Sequence, residues 1–231
     1  MLVEYFGPPG SGKSTLSHNL VNELSKRGLN VKELKTNQVK KRYMRVLLKS
    51  IYCIIAFAMS PIKSIKLVKK MATTGTISLK SQISNTFNFL HLYGFYLFAN
   101  FQRKKSIIIY EQGFFQASSS VYIDSGKIEI GKSCFWGMEW LSNPKIVIGV
   151  HVNNAELENR LDSRSNNICI KNDYYKKQGV VFERMNSYLK NSESLFYFEV
   201  DNSNKYQLEN NIEEINCYVL NLVEKYFNNG N

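Results

Sequence analysis

Apolar and polar positions divide the 231-residue chain into short apolar runs and longer periodic stretches. Residues 2–6, Leu-Val-Glu-Tyr-Phe, have the character of a buried parallel strand. After Ser14, Leu16, Leu20, Val21 and Leu24 recur at helical spacing, so a helix is expected to end near Arg27-Gly28, where glycine can supply a left-handed closing residue. Residues 29–34 alternate well enough for a second strand. Ser106-Ile107-Ile108-Ile109-Tyr110 is the strongest buried-strand signal in the chain and leads into a helix expected over 114–123. An exposed link over 124–131 and a short helix bearing Trp136 and Trp140 come next. Then follow a strand over 145–152, a helix capped by Asn153 or Asn154 and running through Arg160, and a polar flap over 165–177. A helix through Phe182, Met185 and Leu189, a strand over 195–200, a loop over 201–204 and a closing helix over 206–227 complete the pattern. Strands alternating with helices predict a parallel α/β sheet covered on both faces, with substrates at the carboxyl ends of its strands. No internal repeat is visible, and the length suits one domain.

Between the second and third strands the pattern changes. Residues 39–81 read as an inserted basic and apolar segment: Lys40, Lys41, Arg42, Arg45 and Lys49 precede the uncharged run 50–62, and Lys63, Lys66, Lys69 and Lys70 follow it. Pro61 should split the segment into two helices, because proline lacks a helix donor and restricts the residue before it. Small, hydroxyl-rich residues over 71–81 predict a loop. Phe87, Leu90, Gly94, Leu97 and Phe101 then fall on one helical stripe, either an aromatic pocket for a base or sugar or a helix packed on the sheet. Arg103-Lys104-Lys105 is expected to turn.

Charge sharpens this division. The chain carries 30 Lys and Arg against 19 Asp and Glu, yet not one acid lies between Glu33 and Glu111, a stretch with fourteen basic residues. The remaining 16 basic residues face all 19 acids, so the excess belongs to one segment. Such a segment fits an anionic membrane surface, a phosphate-bearing substrate or, less well, nucleic acid, since its bases are interleaved with aliphatics and lack a stacking platform. Run 50–62 is too short to span a bilayer, and a first strand at 2–6 leaves no room for a signal peptide, so a cytoplasmic protein is expected, peripheral at the inner face of a membrane if it touches one. Cys53, Cys134, Cys169 and Cys217 show no metal-ligand spacing and read as reduced thiols.

The chemistry is concentrated directly after the first strand. Gly7-Pro8-Pro9-Gly10-Ser11-Gly12-Lys13-Ser14 matches the phosphate-loop pattern G-x-x-x-x-G-K-[ST] at every fixed position, between a strand and a helix as the pattern requires. Glycines turn backbone N–H groups inward and the helix adds the positive end of its dipole, which suits ATP bound at residues 7 to 15, through Thr15. Lys13 would reach the β and γ phosphates, and Ser14 would ligate Mg²⁺. Glu111, at the end of the third strand, is placed for catalysis or for the metal, with a helix cap as the alternative. Arg160 and Arg164 lie four apart on one helix face and can supply fixed cations, unless Arg160 only pairs with Glu156.

These motifs resemble the thymidylate kinase and deoxynucleoside kinase branch of the small phosphate-loop kinases. The resemblance covers G-P-P-G-S-G-K-S-T, an aromatic helix ending Phe98-Ala99-Asn100, the acid after the third strand, and the R-x-x-x-R lid of a region over 160–179. It implies five parallel strands in the order 2-3-1-4-5, ATP with Mg²⁺ as donor, Glu111 as base or metal-side carboxylate, and Arg160 and Arg164 as lid arginines. It also implies that the loop holding Asp201 and Ser203 lies near the nucleotide base. Where the family has Asp-Arg or Glu-Arg after the third strand, this chain has Glu111-Gln112, so one clamp for a nucleotide acceptor is lacking. Residues 111–116 are similar to kinase-like proteins from bacterial surface-polysaccharide gene sets. Arg42, Arg45, Gln112 and Gln116 are then candidates to hold the acceptor. The expectation is an ATP-dependent phosphotransferase acting on a non-standard small-molecule, sugar or lipid-linked acceptor. A nucleotide or nucleoside kinase is the alternative, and an ATP-switched protein that binds membrane or nucleic acid is a third reading; a second copy of the chain is an open partner.

Overall fold

The computed structural model describes residues 1–34, 41–73, 78–102, 106–125, 140–141, 144–163 and 173–228. Its strands are β1 (Leu2–Phe6), β2 (Val31–Glu33), β3 (Ile107–Tyr110), β4 (Lys145–His151) and β5 (Phe196–Asp201). They form one parallel sheet in the order β2-β3-β1-β4-β5, the expected arrangement. The helices are α1 (Lys13–Lys26), α2 (Arg42–Met59), α3 (Pro61–Ala72), α4 (Leu79–Gln102), α5 (Phe114–Ser125), α6 (Asn154–Asp162), α7 (Asp173–Lys190) and α8 (Leu208–Val223).

Strand alternation decides which helix covers which face. Met1, Val3 and Tyr5 join Ile107, Ile109, Ile146, Ile148 and Val200 in a core under α1 and α8. Leu2 and Phe6 join Ile108, Tyr110 and Val147 in a second core with α4, α5 and α7. Glu4 has the parity of Leu2 and Phe6 and is fully buried among them.

Helix α4 packs on the sheet largely through residues beside the expected stripe; of the stripe itself Leu90 and Gly94 are buried, while Phe87 and Leu97 are half-buried. Phe89, Leu90, Leu92, Tyr93, Phe95 and Tyr96 are buried, and the Tyr110 hydroxyl donates to the Leu92 carbonyl at 2.8 Å. Phe101, expected on that stripe, is instead exposed. Gly94 sits where α2 crosses α4, and a Cβ there would run into the backbone carbonyl of Tyr52.

Several boundaries differ from expectation. Helix α4 begins at Leu79, inside the expected loop 71–81, and α3 continues to Ala72. Helix α7 starts at Asp173 and takes the last residues of the expected flap 165–177. Strand β2 keeps only three residues of 29–34, those that reach β3 in register. Pro61 does separate two helices, since α3 begins on it and turns 119° from α2. Trp140 lies in a short turn with its ring 5.9 Å from that of Tyr93, whereas Trp136 and the turn 103–105 lie outside the described residues. Cys53 is half-buried and Cys217 exposed, both as free thiols; Cys134 and Cys169 fall outside the described residues.

Candidate functional site

The loop over residues 7–12 joins the end of β1 to the start of α1. Gly12 has φ 96°, a left-handed conformation that side chains resist, and a Cβ there would also strike the Asn202 amide. No side chain caps the N-terminus of α1. Its positive end therefore faces the loop, the arrangement that attracts a phosphate. The Lys13 ammonium is buried against the loop, donating to the Gly7 and Pro8 carbonyls at 2.7 Å each and to Ser11 Oγ at 3.4 Å. Ser14 and Thr15 are exposed on the first turn of α1.

Glu111 follows β3 directly and is partly exposed. Its Oε1 accepts a hydrogen bond from Ser14 Oγ. The first turn of α1 and the end of β3 are thus joined by a hydroxyl and a carboxylate, both hard oxygen donors of the kind that Mg²⁺ takes. Among the described residues no cluster of three or more His, Cys, Asp or Glu could hold a metal unaided.

The helix-cap role considered for Glu111 belongs to another acid. Glu4 Oε2 accepts from the Phe114 amide at 2.8 Å, and Oε1 accepts from the Phe115 and Gln116 amides at 2.6 and 3.2 Å. A carboxylate inside the sheet therefore caps α5 from below and holds the turn that carries Glu111 and Gln112. Burial pushes the Glu4 carboxyl up to about 8, against the pull of the backbone amides bonded to it. Sequence reasoning passed over Glu4 as part of an apolar run. The available signal was a helix start, Gly113-Phe114, with no capping side chain of its own, and an acid, Glu4, inside the apolar strand that pairs with β3.

On the other side of the loop stands Asn202, also missed. Its side-chain amide donates to the Ser11 carbonyl at 2.8 Å, its backbone N–H donates to the His151 carbonyl at 2.8 Å, and its own carbonyl accepts from Arg160 Nη2 at 2.8 Å. The phosphate loop, the end of β4, the loop after β5 and α6 meet at this one buried residue. Arg160 also donates from Nε to Glu156 Oε1 at 2.7 Å, so the pairing weighed against a lid role is present, and the same side chain braces the loop. Asn153 caps α6, its Oδ1 accepting from the Glu156 amide at 2.8 Å, and Asn153 N–H donates to Ser203 Oγ. Asp201 Oδ1 accepts from both the Ser203 hydroxyl and amide, which hold its carboxyl below the usual range.

Lys13, Ser14 and Glu111 are brought together, and Arg160, Asp201 and Ser203 join the same edge through Asn202. Arg164 lies outside the described residues. Gln112 is exposed beside Glu111, and Gln116, one turn into α5, has a buried Oε1 with no hydrogen-bond partner. Arg42 is exposed at the start of α2, and Arg45 is partly buried near Lys49, whose ammonium is lowered by burial and by that neighbour.

No protein-family model matches the chain, and no curated protein does. Solved structures do match in fold. Deoxyadenosine kinase from M. mycoides with bound dATP is 17% identical over 96% of this chain and 100% of that one, with a TM-score of 0.51. The same enzyme with its products dCMP and dCDP gives 0.52 at 17% identity, over 96% and 99% of the two chains. Thymidylate kinase from Candida albicans, 12% identical over 98% and 92%, gives 0.51. The chain shares the fold of these kinases, a five-stranded parallel sheet in the order β2-β3-β1-β4-β5 covered by helices.

Proposed function

We propose that the chain is an ATP-dependent phosphotransferase whose acceptor is a small molecule, sugar or lipid-linked compound other than a free nucleotide. The observation that carries this reading is the meeting of Lys13, Ser14 and Glu111 where β1 and β3 end. In this reading residues Gly7 to Thr15 cradle the ATP phosphates, with Lys13 turning from the loop carbonyls to the β and γ oxygens. Ser14 and Glu111 would hold Mg²⁺, which would supply positive charge to offset that of the phosphates. The acceptor oxygen gains the γ-phosphoryl group as the bond to ADP breaks, and the acceptor's proton passes to Glu111 or to water. Arg160 and Arg164 stabilise the leaving charge, and Asp201 and Ser203 border the base. Gln112 stands where an arginine would clamp a nucleotide acceptor, and the buried Gln116 Oε1 is the kind of acceptor atom that a substrate hydroxyl could satisfy. Arg42 and Arg45 are the more distant candidates for an anionic group. Most of the α4 aromatics, Phe89, Tyr93, Phe95 and Tyr96, are buried in the core and give no support to a base-stacking site.

The test is turnover of Mg·ATP with sets of sugars, lipid-linked acceptors and deoxynucleosides. One acceptor from the first two sets should raise turnover well above hydrolysis. Lys13→Ala should lower that turnover by roughly 10²–10³-fold, and Glu111→Gln by about 10²-fold with ATP affinity little changed. A deoxynucleoside as the accepted substrate would replace this reading with a nucleoside kinase. ATP binding with no acceptor-dependent turnover would leave a nucleotide switch.

A further inference from the structure

The α2–α3 hairpin presents an apolar and cationic surface that is exposed among the described residues. Of the eighteen residues of α2, Ala56 alone is buried. It faces α4, as do the partly buried Tyr52 and Cys53. On the other side Tyr43, Leu47 and Ile54 share one stripe, 64%, 54% and 68% exposed. In α3 the buried positions are Ser64, Leu67 and Met71, with Ser64 Oγ tied to the Ala56 carbonyl at 2.8 Å. The outward stripe of α3 reads Ile62, Ile65, Lys66, Lys69, the spacing of one helix face, and all four are exposed. Lys63 is exposed beside it. The whole surface lies within the stretch that has no acid from Leu34 to Tyr110.

We infer that the α2–α3 hairpin docks on an anionic lipid surface, its isoleucines entering the interface and Lys63, Lys66 and Lys69 meeting the headgroups. This goes beyond the phosphate-loop reading and does not rest on it. Charge selects the partner. A second copy of the chain in a two-fold contact would bring the same cationic patch against itself with no acid on either side to pair with it. Nucleic acid calls for a cationic groove with stacking rings, whereas the stripes here are dominated by exposed aliphatic side chains. An exposed apolar face with lysines interleaved is the composition of helices that lie in the headgroup region. Among the described residues no single helix is long and apolar enough to cross a membrane, and α2 and α3 reach that length only as a bent pair. The hairpin is therefore placed on the surface of the bilayer.

The test uses the full chain and flotation with vesicles of phosphatidylcholine alone or mixed with phosphatidylglycerol. Binding is expected to the mixed vesicles only at about 0.1 M salt, with release near 1 M, where the screening length falls from about 10 to about 3 Å. Lys63→Gln, Lys66→Gln and Lys69→Gln together should lower the partition coefficient by about tenfold or more, because each charge near an anionic surface contributes several-fold. Ile54→Gln with Ile62→Gln should lower it comparably. Equal recovery with neutral vesicles, or none with either, overturns the inference. So does a dimer in light scattering that the two isoleucine changes split, or an oligonucleotide that binds more tightly than the mixed vesicles. Should a variant fail to fold, Ile62→Trp in the otherwise unchanged chain reads the same contact. With the wild-type emission of Trp136 and Trp140 subtracted, its signal must shift to the blue with mixed vesicles alone.

Discussion

Around the loop over 7–12, Glu4, Ser11, Lys13 and Asn202 are polar and buried, while along α2 Met44, Leu47, Ile51, Ile54 and Met59 are apolar and exposed. Burial here follows what each segment packs against more than its composition. The loop lies between β1, β4, β5 and α6, and each of its buried polar groups is matched by a carbonyl, an amide or a hydroxyl within hydrogen-bond reach. Helix α2 touches the rest of the protein mainly through α4 and has far more apolar side chains than that one contact can cover. The polar groups of the first region are matched inside the chain, whereas the outer apolar side chains of α2 face away from its described part.

The contact between α2 and α4 is the place to break this contrast most severely. Gly94 allows the two backbones to approach until the Tyr52 carbonyl occupies the space of a side chain. Gly94→Ala must therefore move backbone, which cannot swing aside as a side-chain tip can. The expected loss is about 3 kcal/mol, the upper part of the usual range for overpacking. Urea unfolding would measure it. A variant as stable as wild type would mean that α2 shifts along α4 at no cost.

Glu4 sharpens the other side of the comparison through pH. Its carboxyl is raised to about 8 in the folded chain from an ordinary value near 4.5, so the folded state binds the proton more tightly than the unfolded one. Its contribution is fully present below the unfolded value and is lost as pH rises through about 8. His91 works in a lower window. Burial holds its imidazole at about 3, so its contribution is present above its ordinary 6.5 and lost as pH falls. Between about 6.5 and 8 the falling slope belongs to Glu4 and not to His91. The buried Met1 amino group, which is lowered, opposes it there, and comparison with Glu4→Gln isolates the Glu4 part. Wild-type stability relative to Glu4→Gln should fall across that interval in urea titrations. Parallel curves would mean that Glu4 stays charged throughout, held by its amide donors.

Much of this was legible in the chain itself. The phosphate loop announced its strand, its helix and its lysine, and the isoleucines of β3 marked the strand that carries Glu111 to Ser14. Pro61 marked the break between α2 and α3. What could not be read were contacts made across the sheet. Glu4 caps a helix 110 residues away, and Asn202 supports a loop 191 residues away, so no local pattern records either. The aromatic stripe of α4 was ambiguous because a helix facing a ligand and one facing a sheet share the same period; Tyr110 and Phe95 resolve it by packing together, 5.7 Å between ring centres. The apolar residues of α2 posed the same ambiguity and had the opposite outcome, exposure.

The smallest expected effect tests that outcome directly. Ile54 is 68% exposed, and Ala56, two positions on, is not exposed at all. If the outer stripe of α2 packs against nothing in this chain, Ile54→Gln removes little that folding has gained, and glutamine is the slightly better helix former. Its unfolding free energy should stay within about 0.5 kcal/mol of wild type. Ala56→Leu, in the same measurement, should cost about 1–3 kcal/mol, because the added atoms must fit between α2, α4 and the Ser64 hydroxyl bonded to the Ala56 carbonyl. The pair isolates the two faces of one helix under identical conditions. A loss at Ile54 as large as at Ala56 would mean that the chain itself covers the outer stripe, and the hairpin would then belong to the core in the same sense as the sheet. A neutral Ile54 beside a costly Ala56 leaves the apolar stripe as surface that folding does not require, so the reason for its apolar residues must lie in what the protein touches.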